Sequence, residues 1–226
     1  MKRTRIKICG VTTVENALLC VEAGTDMLGL NFYPPSPRSI RPDAAREITD
    51  VLREVYGDRC PLLVGVFVNA SANEIASIMD CARLDAAQLS GDESCEVLAG
   101  LSGWGIKAIR PRSRAEALDH AAQFLAHAPG DDRLPALVVD AYHKDLYGGT
   151  GESASVDVAL AVKELTPRLL LAGGLNPDNV AARVQAIRPW GVDVASGVEG
   201  GTPGIKDPAR VRAFVAAVRS VQGETV

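Results

Sequence analysis

Two residues stand in the sequence where acid–base chemistry would need them. Cys9 ends the strand-like run 6–9 and is followed by Gly10, which lets backbone or ligand approach closely. Asp140 ends the apolar run 137–140, where a carboxylate must be desolvated, paired or used in chemistry. We therefore consider Cys9 a candidate reactive thiol, and Asp140 a candidate general acid whose pKa is raised by burial. The structural alternatives are an inert buried thiol and a carboxylate that accepts N–H groups of a neighbouring loop.

Two segments that contain glycine predict a phosphate site. Gly173 and Gly174 follow one apolar run, and Ser196 and Gly197 close another. Because glycine permits close approach, backbone N–H groups in such segments can hold a phosphate dianion without a lysine. The alternative for each segment, taken alone, is a plain turn.

A further cation and a further acid complete the set of candidates. Arg38 lies in the proline-stiffened segment 34–38, which would aim its guanidinium at small entropic cost. A guanidinium binds a carboxylate through two hydrogen bonds, whereas a solvated surface arginine is the alternative. Asp193 lies within the last apolar run and is a candidate substrate contact. The other polar residues that end apolar runs are Asn31, Asn69, Gln88 and Arg110.

All of these candidates follow or end segments with strand character, and helical segments alternate with those strands. The predicted strands are 6–9, 27–32, 62–68, 86–89, 106–110, 136–140, 169–172 and 192–196. Most are nearly all apolar, as expected for parallel strands covered on both faces. The segments between them repeat apolar residues at helical spacing, as Ile48, Val51, Leu52 and Val55 do.

This alternation predicts an α/β fold, a single-domain (β/α)8 TIM barrel over residues 1–226. The active site of such a barrel lies at the carboxyl ends of the strands, and the last two loops frequently bind phosphate. The glycine-rich segment 147–151 predicts a lid or a tight turn. An open doubly wound sheet is the alternative fold, but no Gly-x-Gly-x-x-Gly follows the first strand.

Composition argues against several other classes of protein. The net charge of −4 gives no general attraction for nucleic acid or anionic membrane, so neither is a predicted partner. Five cysteines without Cys-x-x-Cys spacing argue against a disulfide framework and a zinc site, and the three histidines do not cluster. We find neither a signal peptide nor an apolar run of the ~18 residues that span a membrane. The expected location is the reducing cytoplasm.

Taken together, the motifs resemble the phosphoribosylanthranilate isomerase family of tryptophan biosynthesis. The matching segments are 7–10, 32–33 with 36–38, 64–69, 88–89 with 91–93, 140, 147–151, 171–177 and 191–206. The resemblance implies an aldose–ketose isomerase without a cofactor. It would act on one phosphorylated small molecule, N-(5′-phosphoribosyl)anthranilate, by an Amadori rearrangement. Both a monomer and a homodimer stay open.

The resemblance also implies roles for the candidate residues. Cys9 matches the family's general base, Asp140 its general acid, and Arg38 the arginine that contacts the anthranilate carboxylate. The residues that match its phosphate loops are Gly173, Gly174, Ser196 and Gly197. Two positions depart from the pattern, since Ser90 stands where members often have histidine and Ala195 where they have a second serine. For this chemistry we expect donors to lower the pKa of Cys9 while apolar walls raise that of Asp140.

Four other functions compete with this one. A ribulose-phosphate epimerase usually needs metal-ligating histidines, which do not cluster here. An aminoimidazole-ribotide isomerase would show two aspartate bases, and Cys9 occupies the first of those strand ends. An isomerase that accepts both ribotides and a non-catalytic phosphosugar-binding barrel also stay open, and turnover assays separate them.

Overall fold

Eight parallel strands close into a barrel in the order in which they occur along the chain. The computed structural model describes residues 3–101, 103–140 and 151–221. For residues 151–155 it describes the backbone alone. The strands are β1 (Arg5–Cys9), β2 (Met27–Asn31), β3 (Leu62–Phe67), β4 (Ala86–Leu89), β5 (Gly105–Ile109), β6 (Leu137–Asp140), β7 (Leu169–Ala172) and β8 (Gly191–Val194). Pairing of β1 with β8 completes the ring, which confirms the predicted (β/α)8 fold.

Helices alternate with the strands around the barrel. They are α1 (Val14–Glu22), α2 (Pro42–Tyr56), α3 (Ala72–Ala82), α4 (Cys95–Ala99), α5 (Arg114–Leu125), α6 (Gly151–Leu165), α7 (Val180–Ile187) and α8 (Pro208–Ser220). Short 3-10 helices span Gly57–Arg59 and Ser196–Val198. Local sequence fixes several helix starts: Ser71 and Glu74 form a reciprocal capping box, and Asp207 accepts the Arg210 amide.

The predicted strand bounds are correct to within two residues, and the differences fall at strand ends. The last strand ends at Val194, so Ser196 is not a strand residue but begins the second 3-10 helix. Arg110 follows β5 and does not belong to it. The segment around Gly148, predicted as a lid or a turn, lies outside the described residues apart from Gly151. That one domain covers residues 1–226 stays a prediction.

The strands are apolar on both faces because each face packs against its own cluster. Alternate side chains of a strand point to opposite sides, here into the barrel or out toward the helices. The inner cluster is Met27, Val64, Ala86, Ile106, Ala108, Leu134, Val138 and Leu170. Buried polar side chains follow these residues toward the carboxyl ends of the strands, among them Lys7, Gln88 and Asp193. The barrel interior is therefore apolar below and polar at the mouth.

A buried ion pair outside the barrel joins three successive strand–helix units. Lys107 of β5 points toward α5, where its ammonium lies 5.5 Å from the Phe124 ring. Its Nζ donates to Glu93 Oε2 and to the Gly91 carbonyl, both at 2.6 Å. Glu93 also accepts the Asn69 and Gly91 amides, so it holds the loops after β3 and β4 together. Although burial alone would raise it, these hydrogen bonds keep the pKa of Glu93 below its usual range.

We predict that Lys107→Met lowers the free energy of unfolding by about 3–5 kcal/mol, because it leaves the Glu93 charge buried without its partner. Urea unfolding followed by circular dichroism measures the loss. Arg114→Met, which breaks the exposed pair with Glu164 on α5 and α6, is the matched control and should cost about 0–1 kcal/mol. Equal losses in the two variants would contradict the structural role of the buried pair.

Candidate active site

A cavity of about 240 Å³ opens at the carboxyl end of the barrel. It is lined by Cys9, Gln88, Ser90, Ala108, Arg110, Val138, Asp140, Ala172, Gly173, Gly174, Leu175, Asp193, Val194, Ala195 and Ser196. Most of the predicted site residues thus surround one space. The exceptions are Arg38 and Gly197, which do not line it but flank it. Asn31 and Asn69 serve the loops instead, since their side chains bond to backbone amides of Tyr33 and Asp92.

The Cys9 thiol lies at the end of β1 beside Gly29 of β2, which has no side chain. Cys9 pairs with Gly29 of β2, and a Cβ at Gly29 would come within 2.7 Å of the Cys9 sulfur. Burial raises the pKa of the thiol above its usual value of 9.0, and Asp193 adds to the rise. The ammonium groups of Lys7 and Lys206 oppose the rise without cancelling it. This outcome is opposite to the lowered pKa expected from the sequence, because burial outweighs the donors.

Directly below the cavity, Lys7 and Asp193 form a buried ion pair. The two residues face each other across the β1–β8 pairing, and Lys7 Nζ lies 2.8 Å from Asp193 Oδ2. Only 1% of the Lys7 side chain is exposed. Burial favours loss of its proton, but Asp193 and Cys9 outweigh that effect, so the pKa of Lys7 is raised. The second oxygen of Asp193 is buried and has no partner among the residues that the structure describes.

Asp140 ends β6 on the opposite side of the cavity from β1 and β2. Its side chain is 36% exposed, and Oδ2 lies 3.8 Å from Arg110 Nε. The carboxyl group is therefore partly buried and has a guanidinium nearby, and a pKa raised by burial stays a prediction for it. Arg110 is held in turn by the Ser90 carbonyl, which accepts from Nη2 at 2.7 Å.

The backbones of the loops after β7 and β8 approach each other so closely that a side chain at the contact would not fit. Gly173 and Gly174 have φ angles of +100° and +62°, in the region that favours glycine. A Cβ at Gly197 would lie 1.9 Å from the Leu175 carbonyl oxygen, so only glycine fits between the two loops. The amides of Ser196 and Gly197, in the first turn of the 3-10 helix, lack intrahelical acceptors. These loops form the edge of the cavity at which the sequence predicts an anion site.

Arg38 is held beside the cavity by Glu199. Its Nε and Nη2 donate to the two oxygens of Glu199 at 2.8 and 2.6 Å. Glu199 also accepts from Lys206, whose Nζ donates to the carbonyls of Cys9 and Ala195. Burial alone would raise the pKa of Glu199, but these donors hold it below its usual range. The network ties the end of β1 to the loop after β8.

The sequence interpretation missed three residues of this arrangement: Lys7, Glu199 and Lys206. Lys7 had a detectable signal, since it lies two residues before Cys9 on one strand and must share its face. It is also the charged residue in an otherwise apolar run. Glu199 and Lys206 had no such signal, because they lie in a loop whose path depends on the barrel being closed.

The described residues contain no group of three or more histidine, cysteine, aspartate or glutamate side chains that could hold a metal ion. In the same part of the chain, no helix is long and apolar enough to cross a membrane.

The closed barrel and its cavity define the class of the protein: a (β/α)8 barrel with a thiol, a carboxyl group and glycine loops at the carboxyl ends of its strands. Within this class the chain belongs to the N-(5′-phosphoribosyl)anthranilate isomerase family, because the sequence model of that family matches residues 6–217. The resemblance seen in the motifs is thereby confirmed.

Individual relatives cover nearly the whole chain. An N-(5′-phosphoribosyl)anthranilate isomerase of Geotalea uraniireducens is 42% identical over 214 residues, which is 94% of this chain and 97% of the relative. The crystal structure of phosphoribosyl anthranilate isomerase from Thermotoga maritima has a TM-score of 0.80 and 33% identity, and covers 96% of this chain and 99% of its own. Another solved isomerase holds reduced 1-(o-carboxyphenylamino)-1-deoxyribulose 5-phosphate (TM-score 0.75, 31% identity, 96% and 99% covered).

We predict that Gly197→Ala weakens binding of a phosphorylated ligand at least ~10-fold, because the new methyl group would separate the loops after β7 and β8. Isothermal titration with ribose 5-phosphate measures the change. Gly200→Ala in the same loop is the control, since its Cβ would meet Asp207 at an ordinary 3.6 Å. Unchanged affinity in folded Gly197→Ala would show that the Gly197–Leu175 contact does not shape the anion site.

Proposed function

We propose that the chain converts N-(5′-phosphoribosyl)anthranilate into 1-(2-carboxyphenylamino)-1-deoxyribulose 5-phosphate, an aldose–ketose isomerisation of tryptophan biosynthesis. The observation that carries the proposal is that Cys9, Asp140 and the glycine loops all line one cavity. Family membership over residues 6–217 supports the same reaction. A relative's complex with the reduced product adds the expected ligand chemistry, an aromatic carboxylate joined to a sugar phosphate.

The phosphate is placed against the loops after β7 and β8. The residues proposed to hold it are Gly173, Gly174, Ser196 and Gly197. Backbone amides do this work well because a helix start presents several of them in one direction, with favourable dipole charge. Ala195 removes one hydroxyl relative to many family members but keeps its own amide. Asp193, whose second carboxylate oxygen has no partner among the described residues, is proposed to accept a sugar hydroxyl.

The two proposed reacting groups act on the two atoms that flank C1′ of the sugar, the ring oxygen and C2′. Asp140 gives a proton to the furanose ring oxygen, the C1′–O bond breaks, and the nitrogen lone pair forms an iminium. Cys9 as thiolate then removes the C2′ proton, so that an S–H bond forms and the electron pair of the C–H bond gives the enolamine. Tautomerisation of the enolamine yields the ketose. Positioned acids and bases of this kind each contribute ~10²–10⁴-fold to rate.

The raised pKa of Cys9 decides how protons are distributed before the reaction. Because burial raises the pKa of the Cys9 thiol, the thiol is the resting form and the thiolate the minor form at neutral pH. The reacting form, thiolate with carboxylic acid, holds the same number of protons as the resting form, thiol with carboxylate. Its fraction is therefore independent of pH between the two macroscopic pKa values, and kcat/KM falls on the alkaline side only when Cys9 itself ionises.

Arg38 is proposed to bind the anthranilate carboxylate. Glu199 occupies Nε and one hydrogen of Nη2, while Nη1 has no hydrogen bond among the described side chains and backbone. A guanidinium has five N–H donors in a rigid plane, so one carboxylate can fix its orientation while another edge binds ligand. Glu199 thus orients Arg38 toward the anthranilate end of the substrate.

The remaining assignments are also proposals. We place the enzyme in the cytoplasm, acting on a phosphorylated small molecule without a cofactor. One structure in the family is of monomers generated from a dimeric Thermotoga maritima isomerase, and for this chain both a monomer and a homodimer stay open. An isomerase that accepts two ribotides is the competing function, and assays with both ribotides distinguish it.

We predict that Cys9→Ala and Asp140→Asn each lower kcat at least ~10²–10⁴-fold, since each removes a proton donor or acceptor from the reaction. Turnover is followed as loss of anthranilate-type fluorescence with freshly prepared phosphoribosylanthranilate. Cys81→Ala, at an exposed cysteine of α3, is the control and should keep full activity. Near-normal turnover by either folded variant would exclude that residue from the mechanism.

We predict that Arg38→Ala weakens binding of the reduced product analogue at least ~10-fold but leaves ribose 5-phosphate binding within about twofold, because only the first ligand has a carboxylate. Arg41→Ala, at an exposed arginine paired with Asp43, is the control and should change neither affinity. If both ligands lost affinity equally in Arg38→Ala, the arginine would serve the loop and not the anthranilate carboxylate.

A further inference from the structure

The buried pair at the floor of the cavity contains a charge that the proposed reaction does not use, the ammonium group of Lys7. Lys7 and Asp193 lie in the part of a barrel interior that is commonly filled by Val, Ile and Leu. The layer beneath them in this protein follows that rule, with Met27, Val64 and Ile106 among its members. A buried ion pair is a poor source of stability, because desolvation of both charges offsets their attraction. Because stability does not explain the pair, its position below the Cys9 thiol indicates a role in the chemistry of that thiol.

Geometry connects the pair to Cys9. Lys7 and Cys9 are two residues apart on β1 and so point to the same side of the strand. The hydrogen bond of the Lys7 ammonium goes to Asp193, and its charge acts on the neighbouring Cys9 thiol, whose thiolate form it favours. Asp193 is held opposite Lys7 by the β1–β8 register, so the ammonium cannot move away from the sulfur without losing its carboxylate.

We propose that Lys7 is a positioning residue for Cys9: anchored by Asp193, its ammonium group is the counter-charge of the thiolate that removes the C2′ proton. The inference rests on the function proposed above. In the transfer the C2′–H bond breaks and the S–H bond forms, while Lys7 keeps its three protons throughout. Lys7 touches no reacting atom of the substrate, and it acts by stabilising the charged form of the base.

The other charges around Cys9 are already paired with each other. They are Arg38 from the β2–α2 loop and Lys206 and Glu199 from the β8–α8 loop. Both cations bond to Glu199, which offsets much of their field at the sulfur. Across the cavity, Arg110 and Asp140 also neighbour each other. Lys7 is thus the cation on the same face of β1 as the thiol that is not bonded to Glu199, and Asp193 is its anion.

The two partners of this pair must act on the thiol in opposite directions. The Lys7 charge favours the thiolate and the Asp193 charge disfavours it. A purely structural pair behaves differently, because removal of either partner leaves an uncompensated buried charge and destabilises the same fold. Opposite effects on the thiol therefore separate the positioning role from a structural one.

The test is a titration of Cys9 in the full-length protein by iodoacetamide alkylation, resolved for each cysteine by peptide mass spectrometry from pH 6 to pH 11. We expect Lys7→Met to raise the midpoint of Cys9 by at least ~1 pH unit and Asp193→Asn to lower it by ~1 unit. The alkaline limb of kcat/KM should move in the same directions, with kcat/KM in Lys7→Met reduced at least ~10-fold. Lys107→Met removes an equally buried lysine outside the barrel and should leave the Cys9 midpoint unchanged.

Midpoints that stay at the parent value, or that move in the same direction in Lys7→Met and Asp193→Asn, would overturn the proposal. If Lys7→Met does not fold, the double variant Lys7→Met/Asp193→Leu removes both charges. We then expect recovered stability without recovered kcat/KM, and parent-level kcat/KM in that variant would overturn the proposal as well. Alkylation of Cys9 needs no substrate. If the midpoints shift as expected but the protein does not isomerise phosphoribosylanthranilate, the proposed function is refuted and the effect of Lys7 on the thiol is not.

Discussion

The pairing of β1 with β8 is the contact on which the rest of this structure depends. It closes the barrel, and it places Lys7 opposite Asp193 inside it. A slip of one residue would turn every inward side chain of the strand outward, so the buried ion pair and the register require each other. Cys9 and Ser196 are far apart in the sequence, and they line one cavity only because this seam is closed.

The loop after β8 secures the same seam from above. Lys206 donates to carbonyls on both sides of the seam, those of Cys9 and Ala195, and is itself neutralised by Glu199. Glu199 in turn orients Arg38, which lies in the β2–α2 loop. A single carboxylate therefore links the end of β1, the proposed phosphate loop and the proposed carboxylate-binding arginine. We expect a substitution at one of these three sites to alter the geometry of the other two.

Sequence patterns predicted the barrel well because its determinants are local. Apolar runs marked all eight strands, and the short runs before Gly173 and Ser196 placed the predicted phosphate loops at strand ends that line the cavity. What failed was the environment of individual side chains. Asp140 is partly exposed because it ends β6 at the open end of the barrel, which the apolar run before it does not indicate. Cys9 was expected to have a lowered pKa, but burial and the charge of Asp193, which closure of the barrel brings near it, raise that pKa.

In the proposed mechanism, proton position matters more than net charge. The proposed resting and reacting forms of Cys9 and Asp140 differ only in which group holds one proton, so a distant charge affects both forms almost equally. A bound phosphate dianion opposes the thiolate and at the same time favours a protonated carboxyl group, and the two effects largely cancel. Only charges much nearer to one group than to the other can shift the balance. Lys7, two residues before Cys9 on the same face of β1 and opposite Asp193, is such a charge. Its burial strengthens that preference, because the field of a desolvated ammonium is weakly screened.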